Sequence, residues 1–374
     1  MTAAPKLSVL MITYNHEAYV EQAVRSALMQ ETDFEYEIVI GDDCSTDRTG
    51  EILLRLAADN PFRVRLLSRD RNLGMMANFA DTYRACRGQY LALLEGDDYW
   101  TDPRKLARQV AFLDDHPGYA GCAHVVRQLG DRADYGPFPT ACPDDITFEH
   151  LLAENRFATC SVVYRRRLAS LPVWFRDCAM GDWPLHIVHA AYGPFRVFRE
   201  VMGVYRIHEG GVWSPTGRAW RLRHAVALYR HLQAEFPEHG SWLDRYRFRW
   251  EYELGHELAA RNDWPAARAV VRAMLPRAYR TGLGGAAQFL DVGLHVLTPP
   301  CYRFLSPPGR PAPTGPVEAV GLDQAEHLAA RAAIRSGPRR ARVSAIAREV
   351  LAGRYARFGL GPFGALSVAA DLLG

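Results

Sequence analysis

A chain of 374 residues, 48% hydrophobic and 23% charged, has the composition of a folded globular protein and not of a disordered one. Its length exceeds one ordinary domain and predicts two. The formal charge of +3 is mild and no long single-sign run is present, which argues against a nucleic-acid partner.

Leu7-Ser8-Val9-Leu10-Met11-Ile12 reads as a strand, Thr13-Tyr14-Asn15-His16 as a polar turn, and residues 17–30 as a helix with Val20, Val24 and Leu28 on one face. The cycle repeats with a strand at 36–40, the segment Gly41-Asp42-Asp43-Cys44-Ser45-Thr46-Asp47, and a helix over 50–59 that Ser45-Thr46-Asp47 can cap. A third strand, 64–67, leads through Asn72-Leu73-Gly74 to a helix over 76–86. A fourth apolar run, 90–94, ends in Glu95-Gly96-Asp97-Asp98-Tyr99-Trp100. Alternating strand and helix predict a parallel sheet with helices on both faces. Asp102-Pro103 then opens a helix carrying Leu106, Val110 and Leu113, and a strand follows at 121–126. Residues 130–143, rich in Gly, Pro and Asp, predict a loop near the site, and 159–164 predict a strand. Met180-Gly181-Asp182-Trp183 opens a helix, and 204–213 predict a strand running into a glycine hinge.

Beyond residue 216 the pattern turns helical, at 220–236 and 242–261. The second segment and its successor resemble a tetratricopeptide-type helix pair turning at Asn262-Asp263-Trp264-Pro265, with Gly255 and Ala267 allowing close approach. An ordinary helical hairpin fits the same residues. One such unit cannot bury itself, so it is expected to pack on the first domain or on another chain, giving an oligomer or a partner contact. The expected division is 1–215 for the α/β domain, 216–305 for a helical domain, and 306–374 for a Pro-rich linker with an Arg-rich helical tail.

The two acidic clusters, Asp42-Asp43 and Glu95-Asp97-Asp98, each close a buried strand. Carboxylates packed this closely repel and resist burial, so backbone donors, a divalent cation or a bound polyhydroxyl compound must offset them. The carboxyl ends of the strands are where open parallel sheets bind ligands. The placement reads as a site for a sugar nucleotide and its metal.

Four segments in order, Ser8-Val9-Leu10-Met11-Ile12-Thr13-Tyr14-Asn15, Gly41-Asp42-Asp43-Cys44-Ser45-Thr46-Asp47, Asn72-Leu73-Gly74 and Glu95-Gly96-Asp97-Asp98, resemble family 2 glycosyltransferases. The resemblance implies a GT-A fold, a mostly parallel sheet flanked by helices and followed here by an α-helical region, and an inverting transfer from a nucleotide-sugar donor. It implies donor contacts from Thr13, Tyr14, Asn15, Asp42, Asp43, Asn72, Gly74, Glu95, Asp97, Arg206 and His208. It also implies a divalent cation, Mn²⁺ or Mg²⁺, on Asp97 and His208. Glu95 stands where the family usually has Asp, which makes Asp97 the safer metal ligand and leaves Glu95 to the sugar or ribose. Asp182 falls at the position of the family's catalytic base, with Gly181 in place of the usual Glu. The bland readings are a helix cap for Asp182, a satisfied surface histidine for His208, a plain turn for Asn72 and Gly74, and core packing for Trp100 and Trp183. The acceptor, whether glycan, lipid-linked, peptide or small molecule, is not named by these residues.

A sugar-phosphate nucleotidyltransferase would need a Gly-rich basic loop after the first strand, and Thr13-Tyr14-Asn15-His16 is not one. A non-catalytic sugar-nucleotide-binding relative would not need Asp43, Asp97 and Asp182 together. Seven scattered cysteines form no C-x-x-C pair, which points to a reducing compartment and away from structural zinc. No basic leader with an apolar core is visible and no stretch reaches the ~20 apolar residues that span a bilayer, so a cytoplasmic protein is expected. The apolar stretches 289–297 and 358–373 with the Arg-rich tail add an expected weak peripheral contact with the inner membrane face.

Overall fold

The computed structural model describes residues 4–281 except 131, 132, 209 and 212–215. The expectations for the Pro-rich linker, the tail and its membrane contact lie outside the described residues. Two compact units divide between Thr216 and Gly217.

In the first unit, β1 (Leu7–Thr13), α1 (Val20–Leu28), β2 (Tyr36–Asp42), α2 (Thr49–Asp59), β3 (Val64–Ser68), α3 (Met75–Ala85) and β4 (Tyr90–Leu93) alternate. Every residue of β1, β2 and β4 is buried, as continuous apolar runs demand of strands covered on both faces. The pairings among β1, β2, β3 and β4 are parallel: β1 lies between β2 and β4, with Leu7 opposite Tyr36 and Tyr90, and β2 carries β3 on its far side. Leu7, Val9 and Met11 share a core with Val24, Leu53 and Leu106. The opposite face receives α3, whose Asn78 and Thr82 lie where a side chain at Gly41 would project. That contact is why position 41 has no side chain: an added Cβ would sit 2.1 Å from Thr82 Oγ1.

The chain continues through β5 (Tyr99–Trp100), α4 (Lys105–Asp115), β6 (Gly121–Gly130), β7 (Asp134–Phe138), β8 (Asp145–Ile146), α5 (Phe148–Ala153), β9 (Val163–Arg165), α6 (Asp182–Ala190) and β10 (Phe195–Ile207). The sheet order is β3-β2-β1-β4-β9-β6-β10-β5, with β7 on β6 and β8 on β10. This half is mixed: β6 and β10 run parallel, while β9 is antiparallel to both β4 and β6.

Three expectations are corrected here. The supposed loop at 130–143 contains β7, antiparallel to β6. Its polar residues make the hairpin: Asp134 Oδ1 accepts the Gly136 N–H at 2.9 Å and Arg127 Nε donates to Asp134 at 2.9 Å. The strand expected at 159–164 begins as a 3-10 turn, Thr159–Ser161, because the Ser161 hydroxyl and N–H both donate to the Ala158 carbonyl, at 2.7 and 3.0 Å. The last strand starts at Phe195 and stops at Ile207, before the glycines.

The second unit contains α7 (Arg218–Glu235), α8 (Gly240–Ala260) and α9 (Trp264–Thr281). Leu222, Val226, Leu254, Leu258, Ala267 and Val271 form its core. Asn262, at φ 61°, makes the turn between α8 and α9. Ala267 is fully buried as expected of a close helix contact, but Gly255 is not required: a Cβ there would meet only Val271 Cγ2, at an ordinary 3.8 Å. No helix among the described residues is long and apolar enough to cross a membrane.

Candidate active site

The parallel strands β1, β2 and β3 bring three polar loops to one edge. Asn15, at φ 55°, joins two of them: its N–H donates to Ser45 Oγ at 3.0 Å and its Oδ1 accepts the Thr46 N–H at 2.8 Å. Asp43 joins the third, accepting the Leu73 N–H on Oδ1 at 2.7 Å and the Gly74 N–H on Oδ2 at 2.9 Å. Asn72 Oδ1 takes the same Gly74 N–H at 3.0 Å, and Gly74 stands at φ 85°, a conformation that favours glycine. Asn15, Asp43 and Asn72 are thus holding loop geometry, whatever else they touch. Asp42 accepts the Ser45 hydroxyl at 2.5 Å, and burial pushes its pKa up. Tyr14, 43% exposed, is the large apolar side chain these loops present to solvent.

The second acidic cluster follows β4. Asp97 Oδ2 lies 3.0 Å from His208 Nε2 and 3.9 Å from His16 Nε2. Burial works to raise the pKa of Asp97, yet the His208 hydrogen bond and the His16 charge hold it below the usual carboxylate value. Burial, and then the Asp97 and Asp98 charges, push Glu95 well above its ordinary value. Asp98 is raised well above its own value by burial and the Asp97 charge. It accepts the backbone N–H of Arg206 at 2.8 Å. The Arg206 guanidinium donates to the Asp97 carbonyl and to Gln22, and lies 4.5 Å from the Tyr99 ring centroid. Its expected donor role is therefore joined, in this structure, to a positioning role: it clamps the acidic loop. Gly96 lets the loop approach β1, since a Cβ there would sit 2.4 Å from Thr13 Oγ1.

Asp182 is the first residue of α6. Its Oδ2 accepts Asn155 Nδ2 at 2.7 Å and Thr159 Oγ1 at 3.4 Å. Burial raises its pKa against the hydrogen bonds of Trp183 and Asn155. Its charge also acts on Glu95, adding to the upward push on that group. Trp100 and Trp183 are core residues, 1% and 5% exposed, with their indole N–H groups on the Cys160 and Leu151 carbonyls at 2.7 Å each. Their stacking on a sugar is ruled out by burial.

Sequence reading missed three residues here. His16 was seen only as part of a turn, although its place at the end of β1 was a signal. Asn155 and Tyr19, whose ring centroid lies 4.9 Å from that of His208, carried no signal of their own. A divalent cation fits this chemistry: Asp97 Oδ1 is buried without a hydrogen-bond partner. Ligand atoms of His16, Asp97 and His208 lie within 4.8 Å of one another, and so do those of Glu95, Asp97 and Asp98.

Comparison with known proteins agrees with this architecture. The family model "Glycosyl transferase family 2" matches residues 8–169. An uncharacterized protein of Mycobacterium tuberculosis is 39% identical over 258 residues, covering 68% of this chain and 66% of its own length. The chain thus spans just under two thirds of that relative. The putative glycosyltransferase EpsE of Bacillus subtilis is 35% identical over 119 residues, 32% of this chain and 42% of EpsE. A crystal structure of S. aureus TarS superposes with a TM-score of 0.56 at 16% identity, over 78% of this chain and 52% of that one, which shows a shared fold. The α/β unit has the GT-A fold, and its residues 8–169 match the model of glycosyl transferase family 2.

Proposed function

We propose that this chain moves a sugar from a nucleotide-sugar donor to an acceptor hydroxyl with inversion, in a metal-assisted reaction with Asp182 as the base. The observation that carries the reading is the grouping of Glu95, Asp97 and Asp98 just after β4 with a buried Asp97 oxygen left without a partner, together with Asp182 at the start of α6, whose charge reaches Glu95. In a single in-line displacement, the acceptor oxygen bonds to the anomeric carbon while its proton passes to Asp182. The bond from that carbon to the diphosphate oxygen breaks, and the nucleoside diphosphate leaves. The Asp182 carboxylate takes the proton, its Oδ2 held by the Asn155 amide and the Thr159 hydroxyl. A raised pKa suits a base that must work near neutral pH. Asp97 and His208 would hold the cation, which when bound offsets charge on the departing diphosphate. Glu95 would hydrogen-bond a sugar or ribose oxygen. Thr13, Tyr14, Asn15, Asp42, Asp43, Asn72 and Gly74 face the nucleotide, with Arg206 fixing the acidic loop beneath it.

The TarS structure determined with UDP-GlcNAc makes that compound a first donor to assay, followed by other UDP-, GDP- and dTDP-sugars. Donor hydrolysis and thermal shift with Mn²⁺ test the reading. A ligand at 100 times its Kd adds about 2.7 kcal/mol of stability. Absence of both a shift and turnover across all donors would overturn it.

A further inference from the structure

We propose that the cation site is a mixed nitrogen–oxygen site in which His16 joins Asp97 and His208, and that its two imidazoles make it select transition ions such as Mn²⁺ and Co²⁺ over Mg²⁺. This rests on the metal-assisted reading above and identifies the ion. Both Nε2 atoms address a single atom: Asp97 Oδ2 lies 3.0 Å from that of His208 and 3.9 Å from that of His16. Ligand atoms about 2.1 Å from one cation sit about 3 Å apart when adjacent in an octahedron, so the spacing is that of a slightly opened ligand set. The rings come from opposite ends of the unit, His16 from the turn after β1 and His208 from just beyond β10.

His16 is held from behind. Its Nδ1 lies 3.2 Å from Thr13 Oγ1, and its backbone N–H donates to Thr49 Oγ1 at 2.8 Å. Metal-binding imidazoles are oriented in this way through their second nitrogen. Gly96 completes the arrangement, since a Cβ there would sit 3.0 Å from His16 Nδ1 and drive the ring away from Asp97. The competing all-oxygen set of Glu95, Asp97 and Asp98 is less suited. Asp98 is 1% exposed and already holds the Arg206 N–H at 2.8 Å, and three converging carboxylates repel. Mg²⁺ favours oxygen donors and keeps its waters, whereas imidazole favours later transition ions, with affinity rising from Mn²⁺ to Co²⁺.

The test uses the full chain with Mn²⁺, Co²⁺ or Mg²⁺, alone and with excess UDP, and reads binding only. The wild type is expected to bind Mn²⁺ about tenfold or more tighter than Mg²⁺, Co²⁺ tighter still, and to show nitrogen hyperfine coupling on bound Mn²⁺. His16→Ala is expected to weaken Mn²⁺ binding about 10–100-fold, to leave Mg²⁺ binding nearly unchanged and to reduce the nitrogen coupling, with an unaltered melting temperature. His16→Asp, which supplies an oxygen donor, moves the preference toward Mg²⁺. Equal affinities in the wild type, Mn²⁺ spectra without nitrogen coupling with or without UDP, or an unchanged Mn²⁺/Mg²⁺ ratio in His16→Ala would each overturn the proposal. These readouts do not require turnover. An active enzyme whose nitrogen coupling is unchanged in His16→Ala removes the His16 site alone, while an inactive protein with the coupling removes the transfer reaction alone.

Discussion

Asp182→Asn separates catalysis from helix capping in one substitution. Asn155 Nδ2 donates to Asp182 Oδ2 at 2.7 Å, and the Thr159 hydroxyl adds a second bond at 3.4 Å. An asparagine must keep its carbonyl oxygen toward those donors, because its own NH₂ cannot accept them. The NH₂ then occupies the place of Oδ1, and the neutral amide can no longer take a proton from the acceptor hydroxyl. General-base catalysis is worth ~10²–10⁴-fold, so kcat is expected to fall by about that factor, while the donor KM stays within about twofold. Stability gives an independent sign. Burial raises the pKa of Asp182, so at neutral pH its charge opposes folding and the neutral amide removes that opposition. The variant therefore melts no lower than the wild type at pH 7, and any gain disappears as pH falls below the carboxylate's unfolded value. Turnover above about half of wild type, or a lowered melting temperature with activity retained, would mean that Asp182 only starts the helix.

Asn155→Ala is expected to lower kcat about tenfold or more in the wild type and to cost nothing further in the Asp182→Asn background, as double-mutant kinetics will show if Asn155 acts through that carboxylate. Asp97→Ala is expected to abolish metal-dependent donor binding, and EDTA to abolish turnover, with a smaller loss for Glu95→Ala; full activity in excess EDTA contradicts the metal reading. Lys105 is buried with its Nζ lacking a hydrogen-bond partner, 3.9 Å from the Trp100 ring centroid, and burial lowers its pKa to about 7. The unfolded chain then holds the extra proton between pH 7 and ~10.4, so stability rises with pH across that window. Lys105→Met should flatten that rise in melting temperature, and an unchanged slope rejects a native lysine of lowered pKa.

The parallel half of the sheet was legible because its signals are local. Strands buried on both faces show unbroken apolar runs, and each of the first four is followed by polar residues within two positions of the observed end. The second half was less so, for a physical reason. β9 has only three residues and begins after a turn that Ser161 makes with its own hydroxyl, so its apolar run extends beyond the true strand. β7 is held by Gly136 and by a charged pair, Arg127–Asp134, which in sequence resemble a loop.

The site divides along the same line. Asp42, Asp43, Glu95 and Asp97 announce themselves by closing strands, but the partners of Asp43 and Asp97 come from 30 and 111 residues away: Leu73 on Asp43, His208 on Asp97. A hydrogen bond at that separation leaves no periodicity to read. His16 shows the limit most plainly. As a lone histidine in a turn it has no chemistry, and it acquires one only because Gly96 allows the β4 loop to lie against Thr13 and brings Asp97 before the ring. Glycine at 96 is thus as much a site residue as the carboxylates around it. An alanine there would push on Thr13 and His16 and, through them, on the Asp97 oxygen that both imidazoles address.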